Sequence, residues 1–123
     1  MTKIRPFVKW AGGKGRLTQT LESFLPLDFD KQNNITYIEP FVGGGAMMFH
    51  MIEHHQNICR IIINDINEDL MKCYRLIKEN PSELIERLKL LEDAFYALNT
   101  ESSRKDFYYT TRYVFNRESV DTN

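Results

Sequence analysis

Ile35-Thr36-Tyr37-Ile38-Glu39-Pro40-Phe41-Val42-Gly43-Gly44-Gly45-Ala46 is the stretch on which the fold turns. Residues 35–38 are a β-prone run, Glu39-Pro40 closes it, and three glycines break the chain before a helical pattern begins at Ala46. The order is strand, glycine turn, helix. Over residues 46–55, Ala46, Met47, Phe49, Met51 and Ile52 fall largely on one side, and His50, Glu53, His54 and Asn57 on the other. Residues 60–63 then carry three consecutive isoleucines, the apolar β-branched run of a buried parallel strand, closed by Asn64-Asp65. A β-α-β unit this apolar belongs to a parallel sheet covered on both faces, so the expected class is α/β. Two strands are too few for a stable sheet. Further strands are expected beyond Asn123, the alternative source being the arm around Phe7-Val8 with a partner chain.

On the N-terminal side, Leu17, Leu21, Phe24 and Leu25 recur at helical spacing and stop at Pro26, which predicts a short helix over about 15–25 and a loop over 27–34. On the C-terminal side a helix starts at Asn67, with Leu70, Cys73, Tyr74 and Ile77 on one stripe and Glu68 and Asp69 in its first turn, and it ends near Asn80. Asn80-Pro81 with Glu83 has the form of an N-cap, a first-turn proline and a capping-box acid; Leu84, Ile85, Leu88, Leu91, Phe95 and Leu98 continue one face. A last helix, about 102–116, carries Phe107, Tyr108, Tyr109, Tyr113 and Phe115. The expected organisation is a β-α-β part over 1–67 and a helical part over 68–123.

The 123 residues amount to about one domain, and 42% hydrophobic with 27% charged residues is enough to build a core. A net charge of -1 excludes a histone-like cationic protein, yet residues 1–21 hold Lys3, Arg5, Lys9, Lys14 and Arg16 and no acid. Such a basic arm suits a phosphate or nucleic-acid contact and equally a solvated leader. Cys59 and Cys73 are too few for a disulfide framework or a four-thiolate zinc site, which fits a reduced protein. With no apolar stretch of about 18 residues and no signal-peptide core, the expected location is the cytoplasm, without a membrane partner.

Glycines after a strand let the backbone turn sharply and approach a ligand at the carboxyl end of the sheet, where such folds bind nucleotides. Asp65 lies 20 residues beyond Gly45, a spacing that suits a carboxylate accepting hydrogen bonds from ribose hydroxyls, so an adenosine compound is the expected ligand. The sequence departs from an ordinary dinucleotide fingerprint in two ways: Met48 replaces the third glycine, and Glu39 precedes the loop, where it would repel pyrophosphate. A carboxylate there favours a ligand with positive charge, such as S-adenosylmethionine with its sulfonium and ammonium groups. The second cluster, Lys9-Trp10-Ala11-Gly12-Gly13-Lys14, is not a P-loop, because Val8 stands in place of the first glycine and Gly15 in place of the hydroxyl residue. Trp10 is either an aromatic wall or ordinary core, and Lys14 is suited to a ligand carboxylate or carbonyl.

Together KWAGGK at 9–14, EPFVGGG at 39–45 and NDIN at 64–67 resemble the Dam-type adenine-specific DNA methyltransferases. The resemblance implies a Rossmann-like S-adenosylmethionine-dependent methyltransferase fold, here incomplete, acting on double-stranded DNA. It implies that Trp10 and Lys14 line the cofactor pocket with Ala11 and Gly12 beside them, that Glu39, Pro40, Phe41, Gly43 and Gly45 shape it, and that Asp65 holds the ribose. The helical block from about 68 resembles the start of a target-recognition insert. The family's catalytic Asp-Pro-Pro-Tyr motif is absent: Pro6, Pro26, Pro40 and Pro81 are nowhere adjacent. The implied reading is an N-terminal portion that is inactive alone and contains no catalytic residue.

For DNA the sequence offers Lys9 and the stretch with Arg104, Lys105, Arg112 and Arg117, or these are solvated helix charges. Other readings are a nicotinamide-dependent oxidoreductase, weakened by Glu39 and Met48, and a non-catalytic chain that binds cofactor or DNA. His50-Met51-Ile52-Glu53-His54 matches an inverted zinc-protease motif, but no third ligand is identifiable, and a solvated helix face ending at His55 explains it without metal.

Overall fold

Strands β1 (Ile35–Glu39) and β2 (Ile58–Ile63) pair in parallel, with helix α2 (Ala46–His54) between them in sequence, in a computed structural model that describes residues 3–120. The β-α-β unit read from the glycine turn is therefore present. Tyr37 pairs with Ile61, Ile38 with Ile62 and Glu39 with Ile63, while a bulge after Ile35 absorbs Cys59. The pairing carries on past both strands: Asn64 N donates to Glu39 O (3.0 Å) and Val42 N to Asn64 O (2.9 Å). That continuation sets the segment carrying Asp65 beside the glycine turn.

Val42, Met48, Leu70 and Tyr74 form the core, with Val8, Tyr37, Phe49, Ile63 and Met71 packed against it. Helix α2 buries Met47, Met48 and Met51, so its apolar face is rotated from the expected one: Met48 points in, and Ile52, on the flank of that arc, is exposed. The expected buried strand at 60–63 is also corrected. Ile61 and Ile62 are exposed, as is Ile38. Among the described residues the sheet has two strands and two open edges, which leaves these side chains too few neighbours for burial.

The helix expected over 15–25 is reduced to one 3-10 turn at Lys14–Arg16 and the five-residue α1 (Thr18–Glu22). It has no side-chain cap, and Leu17 and Phe24 of its expected stripe are exposed, so little burial offsets the cost of ordering a longer helix. His50 and His55 also depart from expectation, while Glu53 and His54 are exposed as expected. Instead of standing on a solvated face, His50 Nε2 and His55 Nε2 both pair with the Glu22 carboxylate (3.1 Å for His55), and His55 Nδ1 lies 3.3 Å from Asp30 Oδ1. The His50 hydrogen bond is the main reason the Glu22 carboxyl is held below its ordinary range. This clamp ties the end of α2 to α1.

The chain divides into two compact units, Met1–Tyr74 and Arg75–Asn123, and α3 (Glu68–Glu79) crosses the division. Asn67 starts α3, its Oδ1 accepting from Leu70 N at 2.9 Å. In the second unit, α4 (Pro81–Tyr96) begins on Pro81 as expected, but Asn80 Nδ2 bonds Glu83 Oε2 (2.7 Å) rather than closing a capping box on the backbone. Helix α5 (Glu101–Val120) is capped by Thr100 Oγ1, which accepts from Ser103 N (3.1 Å). At the α4–α5 corner Arg104 lies 5.6 Å from the centroids of both Phe95 and Tyr96 and donates to Leu98 O at 3.1 Å. The stripe residues Ile85, Leu88, Leu91, Tyr108, Tyr113 and Phe115 are exposed. Among the described residues no helix is long and apolar enough to cross a membrane, and both cysteines are free and exposed.

Candidate functional site

The turn after β1 is built on two left-handed glycines, Gly43 (φ 53°) and Gly45 (φ 81°). A Cβ on Gly45 would lie 2.7 Å from the Tyr74 hydroxyl and 3.0 Å from Phe49 Cε2, so both the dihedral and the space demand glycine. Gly43 is held at both ends of its peptide groups: its N–H donates to Asp65 Oδ2 (2.9 Å), and its carbonyl accepts from the Tyr74 hydroxyl (2.8 Å). Asp65 Oδ1 accepts from Asn67 N at 3.0 Å. Asp65 thus stitches the glycine turn to the start of α3. These amides, Asn67 first and then Gly43, hold the Asp65 carboxyl below its ordinary range, and the Lys14 charge adds to them. Burial, followed by the charges of Glu39 and Asp65, pushes the Tyr74 hydroxyl up to about 12.

Glu39, at the carboxyl end of β1, is only 6% exposed. Its Oε2 accepts from the Tyr37 hydroxyl at 2.8 Å. Its Oε1 has no hydrogen bond, although Lys14 Nζ is 3.5 Å away. Lys14 donates to Phe41 O (3.3 Å), joining the 9–14 turn to the glycine turn. Between the two turns lies a cavity of about 260 Å³.

Of the cofactor residues named from sequence, Trp10, Ala11, Gly12 and Lys14 line this cavity from one side, and Glu39, Phe41, Gly43 and Asp65 from the other. Pro40 and Gly45 do not line it; Gly45 acts from beneath, where Tyr74 and Phe49 crowd it. Trp10 is 39% exposed and close enough to the turn that a Cβ on Gly43 would come 3.1 Å from its Cδ1, so it is a wall of the cavity rather than core. Lys14, read from sequence as a ligand partner, is engaged with the protein's own Phe41 carbonyl.

Tyr37 and Tyr74 are the site residues that the sequence reading missed. Tyr37 stands two residues before Glu39 and so on the same strand face, a signal that would have found it, whereas Tyr74 meets Gly43 across 31 residues with no local signal. The DNA candidates fall in different units of the chain. Lys9 is exposed in the first unit, while Arg112 and Arg117 are exposed on α5 in the second, where Arg117 leans on the Tyr113 ring. Arg104 is committed to the α4–α5 corner, and Lys105 is exposed. Among the described residues no cluster of three His, Cys, Asp or Glu side chains can hold a metal ion.

The chain is 44% identical over 119 residues to the Type II methyltransferase M.MjaIII of Methanocaldococcus jannaschii, an alignment that takes in 97% of this chain and 40% of the relative. It is 38% identical to the Type II methyltransferase M1.LlaDCHI of Lactococcus lactis subsp. cremoris (84% of this chain, 34% of the relative) and 40% identical to the DNA adenine methylase of Haemophilus influenzae (93% and 35%). The chain therefore spans about two fifths or less of the length of these curated relatives. The family model of D12 class N6 adenine-specific DNA methyltransferases matches residues 10–123, which takes in the second and third motifs whole and all of the first but Lys9. On these grounds the chain belongs to the D12 class of N6 adenine-specific DNA methyltransferases.

Proposed function

We propose that the cavity between the 9–14 turn and the glycine turn binds S-adenosylmethionine, and that the chain is the N-terminal, cofactor-binding portion of an enzyme that methylates N6 of adenine in double-stranded DNA. The observation that carries this reading is Glu39: its buried Oε1 accepts no hydrogen bond and meets Lys14 Nζ only at 3.5 Å, which leaves acceptor capacity at the cavity for a cationic ligand group. Asp65 uses one lone pair of each oxygen on a backbone amide and keeps another on each for ribose hydroxyls. Trp10 supplies an apolar wall, and the glycines keep the cavity floor free of side chains. Bound there, the cofactor supplies a methyl group activated by its sulfonium charge.

A parallel β-α-β unit with its ligand at the strand carboxyl ends supports a Rossmann-like architecture. At about 260 Å³ the cavity is slightly below the roughly 300–1,000 Å³ of ordinary ligand pockets. On this reading residues 1–67 are the first half of the cofactor domain and 68–123 begin the target-recognition insert, with Leu70 and Tyr74 still bracing the cofactor half. Lys9, Arg112 and Arg117 meet DNA phosphates, and the working location is the cytoplasm with the DNA. With no Pro-Pro motif in the sequence, the 123 residues alone transfer no methyl group to DNA. Trp10 fluorescence titrations test the ligand: a saturable response to S-adenosylmethionine and none to NAD at equal concentration is expected, and preference for NAD would overturn the proposal.

A further inference from the structure

We propose that Tyr37 is a positioning residue that sets the charge preference of the ligand site, holding Glu39 by Oε2 so that Oε1 is presented to a cationic group. The inference rests on the cofactor reading of the cavity. Residues 37 and 39 share one face of β1, and the 2.8 Å hydrogen bond between them spans a single strand repeat. The Tyr37 ring packs against the core around Val42, Met48, Leu70 and Tyr74, so its hydroxyl is delivered from an anchored ring. Burial first, then the hydrogen bond and charge of Glu39, hold the hydroxyl well above the ordinary phenol range, so it stays a donor throughout the neutral range.

Lys14 is the reason such a device matters. Its Nζ is 3.5 Å from Oε1, at ion-pair distance but without a hydrogen bond, while it donates to Phe41 O. A carboxylate released by Tyr37 is free to turn fully onto Lys14, and the resulting pair neutralises the charge a cationic ligand would meet. Tyr37 therefore keeps Glu39 divided between protein and ligand.

The test compares S-adenosylmethionine, which is cationic at sulfur and nitrogen, with 5′-methylthioadenosine, a neutral adenosine thioether, in calorimetric titrations of the wild type, Tyr37→Phe, Glu39→Gln and the double variant. Tyr37→Phe removes one oxygen and leaves the packed ring, and circular dichroism checks that each variant is folded. The expected result is about 5–20-fold weaker S-adenosylmethionine binding in Tyr37→Phe, the scale of one lost charged hydrogen-bond alignment, with methylthioadenosine changed less than about 2-fold. In the Glu39→Gln background, Tyr37→Phe should have no further effect, because both changes act through one carboxylate. Equal losses for the two ligands, additive losses in the double variant, or no loss at all would overturn the positioning role. Failure of the wild type to bind either ligand would instead overturn the cofactor reading itself, and the inference with it.

Discussion

Replacing Gly45 by alanine probes the geometry that holds the whole site. Gly45 has φ 81°, a left-handed conformation that costs an L-residue about 1–2 kcal/mol. Its new Cβ would lie 2.7 Å from the Tyr74 hydroxyl, 3.0 Å from Phe49 Cε2 and 3.2 Å from Met48 Cε, contacts that must be relieved at an overpacking cost of about 1–3 kcal/mol. The hydroxyl cannot retreat without weakening its 2.8 Å bond to Gly43 O, so part of the relief is lost again. Alanine's smaller unfolded-state entropy returns about 0.4–1 kcal/mol. The net destabilisation is about 2–4 kcal/mol, a large share of the 5–15 kcal/mol typical of a folded domain. For a unit of this size that corresponds to a fall in Tm of about 10 °C or more, read by thermal unfolding followed by circular dichroism. Gly15→Ala is the control, since its Cβ meets nothing within 4 Å and its φ is not left-handed; its Tm should stay within a few degrees of wild type. Equal Tm values for wild type and Gly45→Ala would refute the claim that Tyr74 and the left-handed turn fix this loop.

Acid stability follows from the depressed carboxyls of Glu22 and Asp65: a group whose pKa is lowered on folding stabilises above its unfolded value of about 4 and loses that contribution as pH falls through the folded one. Unfolding by acid should therefore begin near pH 4, and Glu22→Gln with Asp65→Asn should flatten the stability profile below that pH; an unchanged profile would exclude both groups as its source. If Lys9, Arg112 and Arg117 meet phosphates, changing all three to alanine should reduce the slope of log K against log salt for duplex DNA by about 2.7. An unchanged slope would leave them as solvated charges. Purified chain incubated with DNA and radiolabelled S-adenosylmethionine should give no labelled DNA, and incorporation above background would contradict the placement of catalysis outside these residues.

Much of the site was legible because its signals are local. A β-branched run, a glycine triplet and an apolar helix in order fix a β-α-β unit, and the 20-residue step from Gly45 to Asp65 suffices to return the chain to the same end of the sheet. Asn67 marked one helix start because capping acts within one turn, and Pro81 marked another because its fixed φ suits a first helical turn. What was not legible depends on partners distant in sequence. Nothing local to Lys14 announces the Phe41 carbonyl 27 residues away, and nothing local to Tyr74 announces Gly43 at a separation of 31. His50 and His55 read as a polar helix face until Glu22 is brought against them. The exposure of Ile61 and Ile62 reflects what lies beside the sheet, which periodicity within a strand does not encode.

Calorimetric titration of the wild-type chain beside Asp65→Ala asks whether this cavity holds S-adenosylmethionine through Glu39 and Asp65. The wild type should bind saturably and the variant should lose about 1.5–3 kcal/mol, or roughly 10–150-fold, with circular dichroism showing both folded. Unchanged affinity in a folded Asp65→Ala variant would contradict that binding mode.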